Sequence, residues 1–205
     1  MPYLRSFPRL PEAERLCDLA GMRDDIHHAL RYISAIEKQI ADNFREFVTW
    51  DALSAAAAIA YGRCFGRSKA RFSLPKAFKD TMPDHIKEAH EYVLAVRDKH
   101  IAHSENPYEH NFLVVDLSVV DGQLVGVADA QVDSLRLVAF SDDDIVRFRN
   151  LLGWLEQRLL EMYVEQKHVV LEALSRVPLE ELAKDRHEPP YPFLEPDAHR
   201  VTRPR

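Results

Sequence analysis

Cysteine is nearly missing from this chain. Cys17 and Cys64 are the two in 205 residues, and they make no CxxC pair. A small secreted scaffold would use more, so each is read as a buried thiol rather than a metal ligand. Long apolar runs are missing as well. No stretch approaches the ~20 residues of a membrane span, and the opening MPYLRSFPRLPEAERL has no signal-peptide core. The cytoplasm is therefore the expected compartment, with no membrane partner. There is no Gly-x-Ser-x-Gly, no Walker loop, no Gly-x-Gly-x-x-Gly and no internal repeat. These absences leave little support for serine hydrolases, P-loop NTPases and dinucleotide enzymes. An excess of positive charge is also lacking: 27 Lys and Arg stand against 33 Asp and Glu, for a net charge of −6. The molecule as a whole is not built to condense on nucleic acid, and any such binding needs a local patch.

What is present suits a core-building domain, with 46% hydrophobic and 29% charged residues. The fold expected is mainly α, a helical bundle with a small inserted antiparallel hairpin or sheet. Residues 1–187 read as one domain, with the β insertion at about 112–140. Residues 188–205 read as an extended tail rich in proline. A first helix starts at Pro11 and runs to about Asp42, with Gly21 as the place for a break. Leu16, Leu19, Ile26, Leu30, Ile33 and Ile40 form its apolar face. Within it, His27-His28 are surface or interface histidines. A second helix spans about 44–64, capped by Asp42 or Asn43. Phe44, Phe47, Val48, Leu53 and Ile59 are its bulky core candidates, and Ala55 to Ala58 a strip for close packing. After Pro107 the period changes to that of strands, with Asp121-Gly122 as a hairpin turn. Leu135 to Phe140 is a candidate third strand. A two-stranded hairpin alone is marginal, so it is expected to pack on the bundle, where it can also cover a dimer edge. Ser141-Asp-Asp-Asp144 caps a long last helix carrying Ile145, Phe148, Leu152, Leu155, Leu159 and Met162 to about Ser175. A short helix follows at about Leu179 to Asp185.

Two stretches carry chemistry. Gly62 to Lys79 holds Arg63, Arg67, Lys69, Arg71, Lys76 and Lys79 with no acidic residue among them. Such cations can meet phosphates, with Arg63, Arg67, Lys69 and Arg71 the candidate RNA contacts. The rings of Phe65, Phe72 and Phe78 are expected to anchor the loop to the core. The second stretch, Pro83 to His103, starts as a helix with Thr81 as cap. Ile86, His90 and Val93 follow at helical spacing, and the stretch ends in Arg97, Asp98, Lys99, His100 and His103 before the breaker Ser104-Glu-Asn-Pro107. A fixed cation and two titratable imidazoles thus lie at a helix end beside a polar loop. On an ideal helix Arg97 stands about 60° from His100 and about 120° from His103.

Arg97-Asp98-Lys99-His100-Ile101-Ala102-His103 resembles the motif of the HEPN superfamily, an arginine and polar residue followed by a histidine near the end of the third helix of a bundle. The wording is most similar to HEPN proteins of abortive-infection and other defence loci. The resemblance implies an RNA-cleaving homodimer in which the motifs of two subunits share one site, with no cofactor and no metal. It also implies a role as toxin or defence effector, with an antitoxin or regulatory protein as partner. By that spacing Arg97 clamps the phosphate and His103 carries the proton, with Asp98 and His100 as helpers. One HEPN branch has a tyrosine two residues after the histidine; here that residue is Glu105. Two other readings stand beside this one. The first is a non-catalytic HEPN module for dimerisation or RNA binding. The second is a metal hydrolase using His100, His103 and His110 with Glu105 or Glu109.

Overall fold

A computed structural model describes residues 10–66, 71–98, 109–136 and 140–183 of the chain. It is mainly helical, with one two-stranded antiparallel sheet. The element order is α1 (Pro11–Ala41), α2 (Phe47–Gly62), a 3₁₀ turn (Lys76–Thr81), α3 (Asp84–Val96), β1 (Glu109–Val120), β2 (Gln123–Arg136), α4 (Asp142–Ser175) and α5 (Leu179–Leu182). Among the described residues no helix is long and apolar enough to cross a membrane.

Two long helices form the frame. Helix α1 passes Gly21 without a break, and Pro11 occupies the first helical position, where its missing N–H costs nothing. Helix α4 begins with a capping box: Asp144 N–H donates to Ser141 Oγ, while Asp144 accepts from the Ser141 backbone N–H. The two run antiparallel, as their cross-links show. His27 meets Glu156 at 2.9 Å, Arg149 donates to Ser34, and Gln166 donates to the Glu12 carbonyl. Helix α2 packs on α1, and α3 packs on α4 and α2, which closes a four-helix bundle. Its centre holds Leu19, Met22, Ile26 and Ile33 of α1, Tyr61 of α2, and Ile145, Phe148, Leu152, Leu155 and Leu159 of α4, all without solvent exposure.

Helix α2 meets the sequence expectation in Leu53 and in the closely packed Ala57-Ala58, but its other bulky candidates turn outward. Phe44, Phe47, Val48 and Ile59 are exposed, Phe47 by 73%, and Trp50, Ser54, Ala57, Ala58 and Tyr61 are buried instead. The helix is apolar nearly all round, so hydrophobic periodicity gives its inner face no distinct signature. Sterics decide: Ala57 and Ala58 let α2 lie close in the bundle, and Tyr61 fills the space at its end. Its cap also differs. Glu46, not Asp42 or Asn43, accepts from Val48 N–H and Thr49 N–H at 3.1 and 2.6 Å. These bonds hold its carboxyl below the usual range. Thr81 does not cap α3; its hydroxyl donates to the Phe78 carbonyl and closes the 3₁₀ turn.

The β insertion is a free-standing ribbon. Asp121 and Gly122 both take positive φ, as a two-residue hairpin turn of this hand requires. Strand β2 is one long return to Arg136, where Gln123–Ala128 and a separate strand from Leu135 were expected. Residues 137–139 lie outside the described residues, and Phe140 is buried in the bundle with its carbonyl accepting from Trp50 Nε1 at 3.0 Å. Among the described residues the ribbon's aliphatic face does not pack on the bundle: Leu113, Leu117, Val119, Leu124, Val127 and Val132 all remain exposed.

The orientation of α2 is testable by substitution. Phe47→Ala is expected to change stability by no more than about 0.5 kcal/mol, as for other exposed sites. Ala57→Leu is expected to cost about 1–3 kcal/mol through overpacking. Urea denaturation of the two variants checks the ranking, and the reverse order would restore the expected face.

Candidate functional site

The C-terminal end of α2 gathers three arginines. A helix leaves its last carbonyls without intrahelical partners and ends with negative partial charge. Here Arg97 Nη1 donates to the Gly62 carbonyl at 2.8 Å, and Arg71 Nη2 donates to the Arg63 carbonyl at 3.0 Å. Arg63 itself pairs through Nη1 with Asp25 Oδ1 at 3.1 Å, and Arg71 Nη1 with Asp25 Oδ2 at 2.7 Å. Asp25 is buried on α1. Its carboxylate is thus met by two guanidinium groups, the condition under which a buried charge is tolerated. The following segment is pinned as well: Phe72 N–H donates to Asp18, and Leu74 N–H to the Cys64 carbonyl.

Arg97 is the most elaborately held of the three. Helix α3 loosens at Arg97–Asp98 into a wider π-type turn, a feature frequent at functional sites. The guanidinium lies over Gly62. A Cβ added at Gly62 would collide with Arg97 Cδ and Nη1 and stand 2.9 Å from Nε, so glycine alone leaves room for this approach. On its other side Arg97 Nε donates to Asp98 Oδ1 at 2.7 Å, and Nη2 pairs with the same oxygen. The Arg97 side chain is 24% exposed and that of Asp98 56%. The cation is therefore fixed by backbone on the inner side and by a displaceable carboxylate on the outer.

Of the residues singled out in the sequence, Arg97, Asp98, Arg63 and Arg71 are brought to this end of the bundle. His100, His103, Arg67 and Lys69 lie outside the described residues, as does Glu105. Arg71 is largely enclosed by its partners, whereas Arg63 stays 62% exposed while pairing with Asp25. Phe65, Phe72 and Phe78 pack on the core, as expected of anchors. Among the described residues no three His, Cys, Asp or Glu side chains group as metal ligands. Cys64 is buried and its thiol is pushed up to about 12, mainly by burial, but Cys17 is exposed rather than buried. It sits on the outer side of α1, where a cysteine meets water.

Two residues that sequence reasoning did not single out as a pair lie under the site. Tyr61 precedes Gly62, and His90 stands two turns before Arg97 on α3. Burial raises the Tyr61 phenol well above its usual value, so it keeps its proton, and its hydroxyl is hydrogen-bonded to His90 Nδ1 at 2.6 Å. Burial lowers His90 below its ordinary 6.5, so the imidazole is neutral in the fold. Phe65 stacks edge-on against it at 4.7 Å. This pair ties α2 to α3 below the Arg97 bond.

The neutral His90 gives a pH signature. The unfolded chain protonates this histidine near pH 6.5 while the folded chain resists, so the unfolded state binds more protons in that window. The contribution is complete above pH 6.5 and is lost as pH falls from there toward the folded value. A His90→Gln variant is expected to show a shallower loss of stability on acidification, read from denaturant midpoints across the window. An unchanged slope would mean that His90 titrates normally in the fold.

No family model, no curated protein and no solved structure matches the chain, so the functional reading rests on these residues and their geometry.

Proposed function

We propose that this protein is a metal-independent endoribonuclease of HEPN type, acting through Arg97 and His103. The observation that carries the reading is the mooring of Arg97: one face of its guanidinium rests on the Gly62 carbonyl, and the outward edge grips the exposed Asp98 carboxylate. An edge that holds a carboxylate through two N–H groups also fits phosphate. In RNA the 2′-hydroxyl is a nucleophile beside the scissile phosphate. His103 removes its proton, since imidazole titrates near neutral pH. Arg97 releases Asp98, takes the phosphate and stabilises the additional charge of the phosphorane-like transition state. The bond to the 5′-oxygen breaks, giving a 2′,3′-cyclic phosphate and a 5′-hydroxyl. His100 is the helper or the competing proton carrier. Two copies supply a shared cleft, and Arg67 and Lys69 guide the strand toward it. A toxin or defence role, with an antitoxin or regulatory partner, follows from the resemblance of the motif.

A second reading has one observation in its favour. Arg63, Arg71 and Arg97 are each already met by a carboxylate. They would then be struts of a non-catalytic helical module that dimerises or binds RNA.

Cleavage of single-stranded RNA in the presence of EDTA separates the two. The ribonuclease reading expects activity to persist with EDTA and to fall about 10²–10⁴-fold in His103→Ala. Arg97→Ala should be comparably impaired, with its melting curve close to that of the parent. His100→Ala is the control; if it alone abolishes cleavage, the proton carrier is His100. Absence of cleavage with retained RNA binding favours the module.

A further inference from the structure

The ribbon β1–β2 is amphipathic across its two faces. In β1 the odd residues Leu113, Val115, Leu117 and Val119 share one face, because strand side chains alternate. Their cross-strand partners are Val132, Ala130, Val127 and Leu124. All eight are aliphatic. On the opposite face β2 contributes Asp133, Gln131, Asp129, Gly126 and Gln123 and β1 contributes Val114, Asp116, Ser118 and Val120, a mixed face on which Asp116 stands directly across from Asp129. Like charges directly opposed are unfavourable unless water screens them, so this face belongs to solvent.

Two register shifts build the apolar face. They fall between Asp116 and Leu117 and between Ser118 and Val119. In an unbroken register Leu117 and Val119 would face Ala128 and Gly126. The shifts replace these with Val127 and Leu124. Bulges are features with a purpose rather than defects, and here both enlarge the aliphatic surface. Yet that surface is open: Leu113 is 66% exposed, Val127 65% and Leu124 69%. The eight residues expose on the order of 700 Å², above the usual largest patch of a monomer and close to one partner's share of a standard interface.

We propose that this face is an interface between two copies of the chain, ribbon packed on ribbon about a two-fold axis. The eight-residue aliphatic stretch has no donor or charge to select a different partner, the polar pairs Asn111–Ser134 and Glu109–Arg136 following it in register only at the ribbon's base, and it is complementary to itself under two-fold symmetry. Aliphatic ribbons stack face to face at about 10 Å, as sheets do in sandwiches. The acidic outer face disfavours nucleic acid and anionic lipid as occupants. An isolated two-stranded hairpin is marginal in water; a second ribbon supplies the missing layer in every molecule. None of the eight interface residues belongs to α3, and the interface stands whether or not the protein cleaves RNA.

Light scattering on the full chain at micromolar concentration tests it. The parent is expected to be a dimer. Leu117→Asp combined with Val127→Asp should weaken association at least ~100-fold, since each copy would bury charges without partners. Helical circular dichroism should be unchanged, because the two substituted side chains lie exposed on the ribbon and not in the bundle core. A monomeric parent, or a double variant that dimerises as the parent does, overturns the proposal. Oxidative cross-linking in a Cys17→Ser background gives a second readout that does not need the double variant. Leu117→Cys should form a covalent dimer, and Asp129→Cys, on the opposite face, should not. Equal or reversed cross-linking also overturns it.

Discussion

The end of α2 holds the bundle's functional corner together. Its last carbonyls accept from arginines, whose charge complements the helix dipole, and that of Gly62 also accepts from the Phe65 and Gly66 N–H groups. Arg97 brings in α3 by bonding the Gly62 carbonyl, and Arg71 brings in the segment after α2 by bonding that of Arg63. Asp25 then ties Arg63 and Arg71 to α1. Removing either side would strand a buried charge, which is why such clusters specify one arrangement even where their net stabilisation is small. The Tyr61–His90 bond repeats the α2–α3 link one layer deeper without any charge.

This corner explains why a cation can be held ready for an anion without collapsing onto its own protein. The Gly62 carbonyl and the absent Cβ fix the guanidinium along one side. Among the described residues Asp98, more than half exposed, occupies the other. An exposed ion pair contributes little to stability, so exchanging Asp98 for a phosphate oxygen costs little. Arg71, enclosed against buried Asp25, has no comparable freedom. The same residue type thus serves as strut at one position and as candidate clamp at the next.

Much of the frame was legible in the chain. The Ser141–Asp144 capping pattern and the Ile145, Phe148, Leu152, Leu155, Leu159 stripe locate α4, and the Asp121-Gly122 turn locates the ribbon. The inward face of α2 was not legible, since an all-apolar helix has no phase to read. Nor was the bareness of the ribbon: alternation tells which residues share a face, not what covers it. At the site, Arg97 announced itself by its place near a helix end. Gly62 did not, because the need for a missing Cβ arises only when α3 crosses α2. The basic run after Gly62 suggested phosphate contacts because a sequence displays charge but not partners. Asp25, far upstream on α1, is what claims Arg71 and engages Arg63.

The account turns on Gly62 holding Arg97 in place, and cleavage by a Gly62→Ala variant probes it without altering any charged group. The added methyl should push the guanidinium off the carbonyl, since the colliding atoms are the mobile end of a long side chain. In a helix interior alanine is otherwise about 1 kcal/mol better than glycine, so the fold should survive. The expected result is RNA cleavage reduced to the level of Arg97→Ala, with circular dichroism like that of the parent. Cleavage at the parent rate would contradict the account, because Arg97 would then act without its mooring.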